Sequence, residues 1–298
     1  MLVGRVYAGL ASFSLLFSVL FCFFCSVVDT LLGFWFFLEL CGLSIIPCFF
    51  YSSGDSVYGF YSSLLTYVIV SGLSSVLLVV GILFFELYYF VFIGFLLKFG
   101  LFPFSLWLYR VFSCSNWLFI FFLSVILKFP ILFFCFLFQG LSLYFVYGDC
   151  ILTLVVCSFF FWFFSCDWEF IWCHMSLSSV ATLFAACFCS KPEICFFIYF
   201  YFFLWGGLCI LYFCHVGDDS SFENKFWWFC FLLLITPFSL PLFYKLSVCI
   251  GIFCSSFYLL VVWGLYSFSE QYFLYKLSSN YFYSGVYNLW VDWGLIAM

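Results

Sequence analysis

Apolar runs long enough to cross a bilayer follow one another through almost the whole chain, and no other feature restricts its fold so severely. They lie at about 3–26, 31–50, 60–84, 89–110, 115–138, 143–166, 170–189, 194–214, 226–246 and 247–267, with a weaker eleventh at 281–297. A helical crossing takes about 20 residues, so the runs account for nearly every one of the 298 residues. Only 7% of the residues are charged and 68% are hydrophobic, against about 25% and 45–50% in soluble domains, which excludes a soluble globular fold. The runs lack the period-two alternation of a membrane β-barrel, so the backbone must satisfy itself as helix. The polar knots between them, at Asp29, 52–55, Glu86, Asn116, 148–149, 167–169, 190–193 and 217–225, are too short to fold alone. The expectation is an all-α polytopic membrane protein, a single domain over 1–298 with about 10–11 transmembrane helices.

A formal charge of −5 is spread over the chain without a basic run, so neither nucleic acid nor a polybasic lipid contact is expected; partners belong in the membrane. Placing Arg5 on the N-terminal side puts Arg110, Lys225 and Lys276 on that face and only Lys191 on the other. The positive-inside rule then sets the N-terminus on the matrix or cytoplasmic side. The 18 cysteines sit singly in apolar runs and read as small buried hydrophobes rather than a disulfide framework. Cys22 and Cys25 form a CxxC with no charged or His neighbour, so no metal or iron–sulfur site is expected. Phe 54, Tyr 21, Cys 18 and Trp 12 against Pro 6 is the bias of T-rich codons, as in a small organellar genome. Arg5 leads directly into an apolar run longer than a signal-peptide core, so no cleaved leader is expected.

Two segments echo each other. Pro103-Phe104-Ser105-Leu106-Trp107-Leu108-Tyr109-Arg110 is matched by Pro237-Phe238-Ser239-Leu240-Pro241-Leu242-Phe243-Tyr244-Lys245. The offset of about 134 residues equals roughly five crossings at about 27 residues each. An odd number inverts the second copy in the membrane, the signature of an inverted repeat. Halves of about 1–140 and 141–270 follow, with 271–298 as a tail or last helix. Gly100, Pro103, Pro237 and Pro241 mark the expected helix breaks.

Four charges lie inside apolar runs: Glu39, Lys98, Lys128 and Lys245. Each costs about 2.5–3.5 kcal/mol at a helix centre when unpaired, so each needs a partner or water. Glu39 and Lys98 invite pairing, either as a protonation switch or as a bridge that locks two helices. Lys128 is too deep to snorkel, which points to a polar cavity beside it. Lys245 follows two prolines, and either lines a broken helix or sits in the head-group zone of a hairpin. His174 opens a Ser-rich run and is a weaker proton-relay candidate beside a structural reading; His215 is given no role. Asp167, Glu169, Asp218, Asp219 and Glu223 read as solvated loop charges.

The run Trp35 to Pro47 with Glu39, the run Leu97 to Phe104 with Lys98 and Trp107, the step Leu127-Lys128-Phe129-Pro130, and Pro237 to Lys245 occur in an order and spacing that resembles the mitochondrial NADH dehydrogenase subunit 2 family, antiporter-like membrane subunits of respiratory complex I. The sequence departs from it at Ser105, at Tyr109-Arg110 and in lacking a Gly shortly after Ser239. The resemblance implies two inverted five-helix repeats with discontinuous helices in the membrane arm of a hetero-oligomer. The partners would be other membrane-arm subunits and phospholipids. Glu39, Lys98, Lys128 and Lys245 would form a proton path coupled to quinone reduction elsewhere. The chain would belong to a proton-translocating NADH:ubiquinone reductase of the mitochondrial inner membrane, with FMN, iron–sulfur clusters and ubiquinone on other subunits and no cofactor, metal or redox site of its own. A sibling antiporter-like subunit, a self-standing cation/proton antiporter and a purely structural scaffold are the alternatives.

Overall fold

The computed structural model describes residues 2–51, 57–137, 143–163, 165, 167–218, 226–253 and 255–282, with side chains only from residue 9 and not at every described position. The turn expected at 52–55, the loop charges Asp219, Glu223 and Lys225, the side chain of Arg5, and all but the first two residues of the weak run at 281–297 lie outside the described part. Among the described residues there are helices and no strand, and the chain is an all-helical polytopic membrane protein.

The first group of crossings comprises α1 (Leu2–Val27), α2 (Leu31–Ile45) with a 3-10 turn at Ile46–Tyr51, α3 (Val57–Leu83), a broken crossing of α4 (Tyr89–Phe99) and α5 (Leu106–Phe112), and a kinked one. The kinked crossing runs from α6 (Trp117–Ser124) through a 3-10 turn at Ile126–Lys128 into α7 (Phe129–Leu137). The second group comprises α8 (Leu143–Phe163), α9 (Trp168–Cys189), α10 (Pro192–Asp218), a broken crossing of α11 (Phe226–Leu232) and α12 (Leu240–Ile252), and α13 (Phe257–Phe282). In chain order the broken crossing stands fourth in each group of five.

Seven stretches of the described residues are long and apolar enough to cross a bilayer, three fewer than the ten runs marked in the sequence. The remaining three are the two broken crossings, whose halves are short, and α13, which carries Glu270 and Lys276. Two boundaries also move. The ninth and tenth runs meet not at 246–247 but between α12 and α13, and Gly148–Asp149 falls within α8 rather than between helices. Asp149 Oδ2 is buried without a hydrogen-bond partner among the described residues.

Helices apolar on every face are sorted by position in the bundle rather than by amphipathicity. The central one is α9, with 94% of its spanning window buried, whereas α1 and α3 bury 22% each and present Leu16, Phe23, Leu65 and Leu73 outward. Serines survive in these helices by bonding back to the carbonyl three residues earlier, as Ser18 to Leu15, Ser44 to Cys41 and Ser179 to Ser176. Around α9 pack α7, α8, α10 and α12. From it Ser179 presents its hydroxyl, and Ser176 its carbonyl, to Lys128.

Candidate functional site

The first break is set by Gly100. It takes φ +69°, and the amides of Gly100 and Leu101 turn back onto Leu97 and Leu96 to close α4. A Cβ there would stand 2.2 Å from Leu108 Cδ1, so glycine is required by conformation and by space. The freed groups are satisfied from the side: Trp107 Nε1 donates to Leu97 O at 3.0 Å, and Phe102 N donates to Thr153 Oγ1 at 3.1 Å. Pro103 lies exposed in the unwound stretch. Lys98 is thereby held at the C-terminal end of a half-helix, where the carbonyl dipoles favour a cation.

Lys98 Nζ pairs with Glu39 Oε1 on α2, both side chains largely shielded. Gly42, one turn beyond Glu39, admits the Tyr67 hydroxyl, which donates to its carbonyl at 3.0 Å and would stand 3.3 Å from a Cβ. Glu39 and Lys98 thus meet across two helices.

Lys128 occupies a kink that the sequence reading treats as uninterrupted helix. Pro130 has no N–H for the carbonyl of Ile126, four residues back, so the helix opens there. Ile126 O receives the Phe129 amide and, at 3.7 Å, Cys22 Sγ. The lysine is buried, donating to Ser176 O at 2.9 Å and to Ser179 Oγ, with Nζ 4.0 Å above the Phe202 ring. Among the described residues no carboxylate lies within ion-pair distance of it.

A cavity of about 30 Å³ lies between these two stations, lined by Leu38, Lys98, Ser124, Lys128, Ser176 and Leu177 among others. One water needs about 10–15 Å³, so the space holds about two. Lys98 and Lys128, remote in sequence, share this chamber.

The second break interrupts the chain between Leu232 and Leu240. Phe238, the residue before Ser239, takes φ +66° here. Trp205 Nε1 and Cys209 Sγ cover Leu232 O at 2.7 and 3.6 Å. Pro237 is exposed in the unwound stretch, while Pro241 sits in the first turn of α12, where a missing N–H is harmless; it begins a helix rather than breaking one. Lys245 is buried in α12, not at a head-group surface, and pairs with Glu270 Oε1 at 3.2 Å while donating to Ser267 O at 3.4 Å.

Glu270 is the residue that the sequence reading misses. Ending the tenth run at 267 left it beyond the last strong apolar run, yet Leu259, Tyr266, Glu270, Leu274 and Ser278 are all buried along α13. That helical periodicity through the polar stretch is the signal that finds it.

His174 is fully buried on α9, its Nδ1 2.7 Å from the Tyr109 hydroxyl and its ring against Phe161, with Nε2 unpartnered among the described residues. It is bonded to neither Lys128 nor Lys245. His215 and Glu169 lie in the end turns of α10 and α9. No group of three metal-ligating side chains occurs among the described residues.

The architecture has a solved counterpart. A chain of respiratory complex I from Thermus thermophilus, determined with bound aureothin, superposes with a TM-score of 0.72 at 14% identity, over 88% of this chain and 68% of that one. No protein-family model and no curated protein matches the sequence.

Proposed function

We propose that the chain is an antiporter-like membrane-arm subunit of a respiratory complex I, of the subunit 2 type, which contributes proton translocation across the inner mitochondrial membrane. The supporting observation is three buried charge stations, Glu39–Lys98, Lys128 and Lys245–Glu270, each at or beside an interrupted helix. The fold likeness to a complex I chain supports the same reading. Lysines at bilayer depth are costly and persist where they serve a pathway.

The cavity shared by Lys98 and Lys128 supports one direction of coupling. In the closed Glu39–Lys98 pair the carboxylate screens the ammonium; drawing Glu39 away leaves Lys98 positive beside the cavity it shares with Lys128. A second positive charge there disfavours protonated Lys128. The proton would pass through the hydroxyls of α9 toward Lys245, whose own partner Glu270 can accept or screen it. Electron transfer, FMN, iron–sulfur clusters and quinone belong to other subunits in this reading, with further membrane-arm chains and phospholipids as neighbours. The N-terminus is assigned to the matrix side.

The test is Lys128→Met in the assembled enzyme of native membranes. Assembly should persist, because no ion pair is orphaned, while protons pumped per NADH oxidised fall. Unchanged pumping with full assembly refutes the proposal in favour of a scaffold.

A further inference from the structure

The side chain of Gln271 is used completely, and on groups belonging to two different features. Its Oε1 accepts the Ile235 amide at 2.8 Å, and its Nε2 donates to Leu233 O at 3.2 Å. Both are backbone groups that the unwinding between α11 and α12 frees. Nε2 also approaches Glu270 Oε1 at 3.3 Å, the oxygen that holds Lys245 Nζ at 3.2 Å. A primary amide has one acceptor oxygen and two donor hydrogens; here the oxygen and one hydrogen replace helix bonds, and the second hydrogen goes to the carboxylate.

We propose that Gln271 is a positioning residue that couples the shape of the α11–α12 break to the state of the Lys245–Glu270 pair. When Lys245 leaves or the carboxylate takes up a proton, the pull on Nε2 changes, and the same amide carries the change to Leu233 and Ile235. Conversely, rewinding the break would turn the amide away and leave Oε1 to Lys245 alone. Among the described residues the first break shows no such wire: its amide contact, Phe102 to Thr153, ends on a hydroxyl that bonds its own helix at Asp149 O. The two broken crossings are therefore mechanically different. The functional meaning of the coupling rests on the proton-translocation reading; the coupling itself does not.

Amide hydrogen exchange in the assembled, membrane-embedded protein tests it. Removing the carboxylate together with its lysine, as Lys245→Met/Glu270→Leu, orphans no charge and should speed exchange at Ile235 about fivefold, the worth of one net hydrogen bond; Gln271→Leu should do at least as much. When the two changes are combined the effects should not multiply, because both act through one amide. If Gln271→Leu does not assemble, Gln271→Glu serves: it keeps an oxygen for Ile235 but not the amide hydrogens, so adding Lys245→Met/Glu270→Leu should no longer alter Ile235. Independent, multiplying effects, or no response of Ile235 to Lys245→Met/Glu270→Leu, overturn the coupling. Failure of Lys128→Met to reduce pumping would leave these exchange results untouched, so the two readings fail separately.

Discussion

Removing Glu270 alone should be far more damaging than removing it together with Lys245. Both groups are buried, 3.2 Å apart, and among the described residues Lys245 has only Ser267 O at 3.4 Å as a further acceptor. Breaking a buried pair from one side costs about 3–5 kcal/mol, and an unpaired lysine at a helix centre costs about 2.5–3.5 kcal/mol on insertion scales; the two estimates agree on about 3 kcal/mol. Glu270→Leu also deprives Gln271 of its acceptor, adding about 1 kcal/mol. Lys245→Met leaves a carboxylate that keeps the Gln271 bond, so its loss should be the smaller. The double variant Lys245→Met/Glu270→Leu replaces the pair by apolar groups of similar size and should lose little beyond the about 1 kcal/mol of the Gln271 bond. The coupling energy is then about 3 kcal/mol or more. Steric-trap or denaturant unfolding in lipid nanodiscs measures all four corners of the cycle. A coupling below about 0.5 kcal/mol, or a double variant as unstable as the sum of the singles, would refute a shared desolvated pair.

Further outcomes follow from individual contacts. Gly100→Ala meets Leu108 Cδ1 and an unfavourable φ of +69°, so it should lower the level of assembled protein and lose at least about 1–2 kcal/mol; Gly148→Ala, with nothing within 4 Å in mid-α8, should gain about 0.5–1 kcal/mol in the same unfolding assay. Trp107→Phe leaves Leu97 O with the Gly100 amide at 3.3 Å and should cost about 0.5–1.5 kcal/mol, whereas Trp205→Phe leaves Leu232 O with only the Cys209 thiol at 3.6 Å among the described residues and should cost more, about 1–3 kcal/mol. Pro130→Ala restores the missing amide and lets the helix close onto Ile126 O; infrared or exchange measurements should show a straighter helix, and proton pumping should fall as Lys128 swings from Ser176 and Ser179.

The helices were legible because nothing but helix can satisfy a backbone surrounded by apolar side chains, and the breaks because Pro103 and Pro237 lack the amide that a helix interior needs. The same rule applied to Pro130 would have found the kink at Lys128; the uninterrupted apolar run hid it. Glu270 was hidden for the opposite reason: the polar residues of α13, Ser267, Glu270 and Ser278 among them, lie on its buried or half-buried side while Leu265, Phe268 and Tyr272 face outward, so hydropathy ends the apolar run before the helix ends.

By itself the sequence determined that the chain crosses a membrane many times as helices and that a handful of charges lie too deep for water to reach freely. Both are local consequences of side-chain transfer energies. Only the tertiary structure decided who partners whom: Lys98 with Glu39, Lys245 with Glu270, and Lys128 with the hydroxyl and carbonyl of α9. Helices apolar all round carry no mark of which face turns inward, so the pairing of charges far apart along the chain emerges only when the bundle has packed.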